Sequence, residues 1–483
     1  MLFNSLDFAI FLPVVFLLYW LIPSRYLKLQ NLLILLASYI FYGWWSPKFL
    51  TLIVFSTLVD YFIGRALFKQ NNSTKRKILL WCSIGINIGL LGFFKYFNFF
   101  IDNFNSAFSF FGYHFNSWSL NIILPVGISF YTFQTLSYTI DIYRKNLEPT
   151  KDIISFASFV SFFPQLVAGP IERAKELLPQ FSNSRKFSYL EATEGLKQIL
   201  WGLFKKIVIA DNCAEYVNIV FDNPSAHSGS VLILGAILFA FQIYGDFSGY
   251  SDIAIGTAKL FGFQLMKNFS YPYFSRSIAE FWRRWHISLS TWFRDYIYIP
   301  LGGSKGGKLM QVRNVMIIFI VSGFWHGANW TFIFWGFLNA LFFLPSLMMK
   351  RNRKHLGIVA ENKFLPSFKE LIEIGFTFFL IVLTWIFFRA NSLRDAFLYI
   401  KEVGTNGIFI APQLNTTMST KILILFICVM LITEWYARKR EFGLSFFMAS
   451  KPQIVRWLFY SLIICSIGFF MPAEETPFIY FQF

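Results

Sequence analysis

Of the five histidines in this 483-residue chain, two sit where an imidazole could do chemistry. His326 lies in VSGFWHGANW (321–330), at the end of the apolar run VMIIFIVSGFW. An ionisable side chain inside such a run is costly, faces a bundle interior or a water-filled cavity, and is a functional candidate by default. The plainer alternative is a hydrogen-bonded core histidine. Gly323 and Gly327 flank it, allowing backbone or ligand to come close, and Asn329 adds a polar neighbour. A neutral imidazole there could take a proton from an attacking hydroxyl.

The second is His286, in SIAEFWRRWHISLSTWFRDY (277–296). Trp282, Trp285, His286, Leu289 and Phe293 recur at helical spacing, which predicts one amphipathic helix with His286 on its aromatic face. Arg283, Arg284, Ser288, Ser290, Thr291, Arg294 and Asp295 would cover the other side. An interfacial helix with cytoplasmic arginines explains the pattern as well as a site does. For His286, structural hydrogen bonding and function stay equally open. His114 and His227 lie in polar loops and His355 in RNRKH, which predicts surface positions for all three.

Two further stretches carry polar groups into apolar surroundings. FQIYGDFSGYSDIAIG (241–256) holds Asp246, Ser248, Ser251 and Asp252, which could cap helices, bind substrate hydroxyls or coordinate an ion. LPVGISFYTFQTLSYTIDIYR (124–144) holds Gln134 and Asp141, suited to cavity lining or helix packing. Neither builds a Ser-His-Asp nucleophile by spacing. Cys82, Cys213, Cys428 and Cys465 have no metal-like spacing, so neither a zinc site nor a disulfide is expected.

The elements that must position these residues are membrane helices. The chain is 56% hydrophobic and 14% charged, with a mean hydropathy of +0.52, far from a soluble domain. Stretches such as FAIFLPVVFLLYWLI (8–22) and IGFTFFLIVLTWIFF (374–388) approach the length that crosses ~30 Å of hydrocarbon at about 1.5 Å per residue. Lipid cannot satisfy a free backbone, so a closed all-α bundle follows. Hydropathy predicts about twelve crossings, near 7–23, 30–46, 50–64, 78–96, 119–142, 196–216, 230–256, 314–330, 331–349, 370–390, 421–436 and 455–471. Lys205 and Lys206 make 196–216 the weak one, and 98–112 and 153–170, the latter with FFPQLVAGP, read as re-entrant. The N-terminus has no basic n-region and reads as a retained first helix. The formal charge of +17 reports cytoplasmic Lys and Arg rather than nucleic-acid binding, and the alternation of basic loops places both termini outside the cytoplasm. Residues 257–313 contribute the densest basic loop, on the cytoplasmic face. No second, soluble domain is visible, so residues 1–483 read as one integral-membrane domain with a core over about 119–349 and a tail at 472–483.

Together, LPVGISFYTFQTLSYTIDIYR, FFPQLVAGPIER (162–173), YGDFSGYSDIAIG, FWRRWHISLSTWFRDYIYIPLGGS and GFWHGANW closely resemble the bacterial branch of the membrane-bound O-acyltransferase family, especially the subunits that O-acetylate alginate, related exopolysaccharides or peptidoglycan. The resemblance covers nearly the whole chain, including the ending PFIYFQF (477–483). It implies a polytopic ring of about 11–13 transmembrane helices around a central tunnel, with re-entrant and interfacial helices, in the bacterial cytoplasmic membrane. The family's histidine maps onto His326 and its second polar position onto His286. Trp285, Trp325, Asn329, Gln134, Asp246 and Ser248 would line the tunnel. No permanently bound cofactor and no metal is implied. Acetyl-CoA would be the donor, its phosphates met by Arg283, Arg284 and Arg294. A separate extracytoplasmic acetyltransferase would receive the acetyl group, so the polysaccharide is contacted only indirectly.

The tail MPAEETPFIYFQF has no Lys or Arg, and folded back into the outer mouth it would let Tyr480 act as a transient acyl carrier; an aromatic interface anchor fits it equally well. Two other functions compete with acetyl transfer. One is D-alanyl transfer to teichoic acid from a carrier-protein thioester. The other is a polysaccharide or ion transporter with His326, Asp246 and Asp252 as a proton relay, although the inverted repeats expected of a transporter are not apparent.

Overall fold

The computed structural model describes residues 1–110, 120, 122–167, 169–405, 407–412, 414, 416–445, 451–472 and 478–479, and every regular element among them is a helix. The chain is a polytopic all-α membrane protein. Among the described residues six helices are long and apolar enough to cross a membrane: Pro47–Lys69, Ser73–Phe110, Gly229–Leu260, Lys308–His326, Trp330–Met348 and Phe368–Arg389. Leu6–Leu21, Leu27–Gly43, Ile153–Leu166 and Gln453–Phe469 are apolar but shorter. Each crossing predicted from hydropathy contains a helix, because apolar runs without backbone competitors have no other way to satisfy their amides.

The chain divides into two compact units, residues 1–192 with 258–265 and residues 193–257 with 266–483. In the first, the helix Ile128–Tyr143 is buried along nearly its whole length. Asp60 is fully buried beside it, its carboxylate accepting from Ser83 Oγ at 2.6 Å and Asn87 Nδ2 at 2.9 Å, polar bonds that fasten neighbouring helices where lipid offers no hydrophobic drive. Gln134 belongs to this unit and donates to the Phe159 carbonyl at 2.7 Å. Of the stretch 98–112, residues 98–110 continue one 38-residue helix from Ser73 to Phe110 whose turns widen at Gly92–Tyr96, and residues 111–112 lie outside the described residues. The segment 153–166 is two short helices broken at Phe162, with Pro164 in the first turn of the second, where a missing N–H costs nothing.

In the second unit the helix Gly229–Leu260 is the central one, with 78% of its most apolar stretch buried against 39% or less in the other five long helices. It lies directly against the helical segment 193–222. A Cβ on Gly202 would come within 2.6 Å of the Gly249 carbonyl oxygen, and one on Gly249 within 2.7 Å of the Gly202 oxygen, so these backbones touch only because both residues are glycine. The doubtful segment 196–216 is a buried helix whose turns widen over Phe204–Ala210 and carry Lys205 and Lys206 inward. The single amphipathic helix expected for 277–296 is instead two seven-residue helices, Ile278–Arg284 and Ile287–Phe293, broken at Trp285 and His286.

Candidate histidine site

The helix Lys308–His326 stops at His326, because Gly327 runs extended (φ −162°, ψ 153°) and Asn329 starts the next helix by accepting from the Thr331 N–H. Asn329 is thus a cap, and its Nδ2 donates to the Asn391 carbonyl. The following helix, Trp330–Met348, returns antiparallel and very close: a Cβ on Gly323 would lie 2.2 Å from Phe332 O, and one on Gly336 2.2 Å from Phe319 O. This hairpin seats His326, 4% exposed, among the rings of Trp325 (4.9 Å), Trp335 (5.1 Å) and Phe388 (5.4 Å).

His286 reaches the same place by a different device. Trp285 is extended and His286 takes left-handed values (φ 44°, ψ 56°), which swings the imidazole off the aromatic helical face anticipated for it. A non-glycine residue there costs about 1–2 kcal/mol, so its surroundings must hold it. Two backbone bonds brace the break, Ile287 N to Asn268 O at 2.9 Å and Ser270 N to Arg284 O at 2.9 Å. The ring is 1% exposed, meets Phe247 edge-on at 4.6 Å, and lies 6.0 Å from Trp325 and 6.5 Å from His326 between centroids. Nδ1 of His286 pairs with Asn268 Oδ1 at 3.1 Å, whereas Nε2 is buried with no hydrogen-bond partner among the described residues. A buried nitrogen left open beside a second imidazole can accept a hydrogen bond from a hydroxyl brought between the rings.

Trp285 is buried in aromatics, stacking on Phe281 at 5.4 Å, and Trp325 contacts both imidazoles. Asp246 and Ser248 are engaged by charges that spacing did not reveal. Lys206 Nζ bridges Asp211 (2.7 Å) and Asp246 (2.9 Å), and Lys205 Nζ meets Asp252 (2.6 Å) and Ser248 Oγ (2.8 Å). Two adjacent lysines in one apolar run and two aspartates in another were the available signal, since buried charges must pair. The other oxygen of Asp246 accepts the backbone N–H of Ile479 at 2.6 Å. Phe478, fully buried, packs on Tyr250 (4.5 Å) and Phe247 (5.7 Å), so Phe478 lies one ring away from His286. Tyr480 and His114 lie outside the described residues. His227 and His355 are partly exposed, the latter 3.8 Å from Glu373.

The three arginines part company. Arg283 donates to the carbonyls of Asn352 and His355, and Arg284 binds Glu280 and the carbonyls of Ser270 and Gly357, so both pin the segment 352–357. Arg294 pairs with Asp295 at 2.7 Å and lines a cavity of about 510 Å³ together with Lys350, Arg353, Tyr298, Phe319 and Phe343. Phe319 is on the same helix as His326, seven residues or ~10 Å away along the axis. Among the described residues no cluster of His, Cys, Asp and Glu could hold a metal.

The sequence profile of the membrane-bound O-acyltransferase family matches residues 144–390. Over their full lengths, the chain is 37% identical to a protein of Pseudomonas putida named "Probable alginate O-acetylase AlgI", with 100% of both chains covered. It is 36% identical to the "Peptidoglycan O-acetyltransferase" of Helicobacter pylori, covering 100% of this chain and 98% of that one. Similarity to the "Teichoic acid D-alanyltransferase" of Streptococcus thermophilus is 28% over 56% of this chain and 69% of the other.

Proposed function

Because the chain belongs to the membrane-bound O-acyltransferase family, we propose that it moves an acetyl group from cytoplasmic acetyl-CoA across the bilayer, for O-acetylation of an alginate-like exopolysaccharide or peptidoglycan outside. The observation that carries this reading is the buried pair His326 and His286, walled by aromatic rings and with His286 Nε2 unbonded. Aromatic walls keep water from a thioester. A neutral imidazole takes the proton of the attacking hydroxyl as its oxygen bonds to the thioester carbonyl carbon; the carbon–sulfur bond then breaks, and the proton passes to the departing thiolate. A positioned base of this kind contributes about 10²–10⁴-fold in rate. His326 is the base in this scheme and His286 its partner.

The cavity beside Arg294, Lys350 and Arg353 suits the phosphates of the donor, and Phe319 in its wall belongs to the helix that ends at His326. Arg283 and Arg284 serve it indirectly, by holding the segment that carries Arg353. At the other end Tyr480, the residue after the seated Ile479, would take the acetyl group on its hydroxyl and pass it to a separate extracytoplasmic acetyltransferase, which meets the polymer. This arrangement has both termini outside the cytoplasm and the protein in the inner membrane. D-alanyl transfer is the second reading, favoured by the teichoic acid relative but over only about half of the chain.

His326→Ala, present in membranes at wild-type amount, should abolish ester-linked acetate on the cell's polymer. Normal acetylation in that variant would refute the assignment, and D-alanine in place of acetate among the released esters would replace it with the second reading.

A further inference from the structure

Asn268 lies in LMKNFSYPYF, a stretch that carries no motif, yet it is fully buried against His286. Its side-chain oxygen faces three donors: the Ser288 backbone N–H (3.3 Å), Ser288 Oγ (2.8 Å) and His286 Nδ1 (3.1 Å). The opposite atom, Nδ2, donates to Ser251 Oγ at 3.1 Å. A backbone N–H can only donate, so the atom facing Ser288 must be the carbonyl oxygen and not the amide nitrogen. That oxygen carries no hydrogen, so the Nδ1 bonded to it must be the protonated nitrogen of the ring. In a neutral imidazole the lone pair is then on Nε2, the atom without a partner among the described residues. Asn268 also accepts the Ile287 N–H through its own backbone carbonyl, so the same residue fixes the left-handed turn that aims the ring.

We infer that Asn268 is a positioning residue of the acyl-transfer site, holding His286 as the Nδ1–H tautomer with Nε2 free to accept a proton or a hydrogen bond from the acyl acceptor. The inference rests on the acyltransferase reading for its consequence but not for its geometry. The His286 ring hydrogen-bonds to Asn268 and Ser288 alone among the described residues, so no other described group sets the tautomer. Ser288 cannot do so by itself, because its hydroxyl is already turned toward the Asn268 oxygen at 2.8 Å and stands 3.4 Å from Nδ1.

Two measurements test it. Nitrogen-15 spectra of histidine-labelled protein in bilayers, with His286 assigned by its loss in His286→Gln, should give a neutral ring protonated at Nδ1 and bare at Nε2. A ring protonated at Nε2 overturns the inference whatever the protein catalyses. In acetyl-transfer assays, Asn268→Ala should lower kcat about 10–100-fold with KM for acetyl-CoA unchanged. Asn268→Asp, which keeps an acceptor oxygen toward Nδ1, should restore most of that loss. A folded Asn268→Ala with wild-type kcat, or an Asn268→Asp as slow as a folded Asn268→Ala, refutes the role. Should Asn268→Ala not accumulate, the wild-type tautomer decides alone. Should the wild-type protein transfer no acetyl group, the proposed function fails and the tautomer assignment stands.

Discussion

Replacing Gly323 with alanine tests whether the hairpin at His326 is as tight as its geometry requires. The added methyl carbon would sit 2.2 Å from Phe332 O and 3.0 Å from Phe332 C. Those are backbone atoms within a helix, so no side-chain rotation relieves the clash. Opening the contact to even 3.0 Å demands a shift of about 0.8 Å between Lys308–His326 and Trp330–Met348. His326 is three residues beyond Gly323, and Trp335, which packs against its ring, is on the helix being pushed. A displacement of ~1 Å at a reacting group costs about 10²-fold in rate, and overpacking a tight contact costs about 1–3 kcal/mol of stability. Gly323→Ala is therefore expected to lose roughly 10²-fold in acetylation even when the protein accumulates. Gly375→Ala is the control: no atom lies within 4 Å of its added methyl, and a helical alanine there should be neutral or stabilising by up to ~1 kcal/mol. The assay is ester-linked acetate released per unit of protein, with thermal unfolding of each purified variant. Wild-type acetylation and unchanged Tm in Gly323→Ala would show that the helices do not pack this closely.

Lys206→Met removes the cation between Asp211 and Asp246 and leaves two carboxylates facing each other in the interior; a stability loss of about 3–5 kcal/mol should appear as a much lower Tm, while Asp246→Asn, which can still accept from Ile479, should lose less. Tyr244→Phe deprives the buried Glu434 of a hydroxyl lying 2.9 Å from both its oxygens and should cost about 1–3 kcal/mol, an effect that shrinks when Glu434→Gln is combined with it in a double-mutant cycle. Arg353→Ala and Lys350→Ala should raise KM for acetyl-CoA severalfold with kcat little changed, whereas Arg283→Ala should show as reduced protein, since it strands the carbonyls of Asn352 and His355. Tyr480→Phe should stop polymer acetylation and remove the acetyl-tyrosine sought by mass spectrometry in membranes given labelled donor; a wild-type yield would exclude the relay.

The helices were legible because hydropathy is a property of each segment by itself. The apolar runs read from sequence each hold a helix, and the 3.6-residue pattern failed where a tertiary contact competed with it. At 277–296 the pattern is continuous, yet Asn268 and Ser270 take the backbone bonds that a helix through Trp285 and His286 would have used internally. Nothing local announces that exchange, because the competing partners, Asn268 for Ile287 and Ser270 for Arg284, lie several helical turns upstream. The same applies to Lys205 and Lys206, which looked like an interruption in a span and are instead buried counter-charges of Asp252 and Asp246.

Lys206 binds Asp211 five residues away and Asp246 on the neighbouring helix, and Asp246 in turn binds the backbone of the tail. A hydrophobic substitute could fill the volume of this trio at equal or better stability, since desolvation offsets much of an ion pair's Coulombic gain. What an apolar trio could not supply is an acceptor for the N–H of Ile479 at 2.6 Å, one that fixes Phe478 and Ile479 relative to Phe247 and His286. On that argument the cluster is there for registry. Lys206→Met, Asp211→Leu and Asp246→Leu together should recover the Tm lost by Lys206→Met while leaving acetylation low, separating the stability of the cluster from its use. Recovery of both at once would mean that the tail needs no anchor at Asp246.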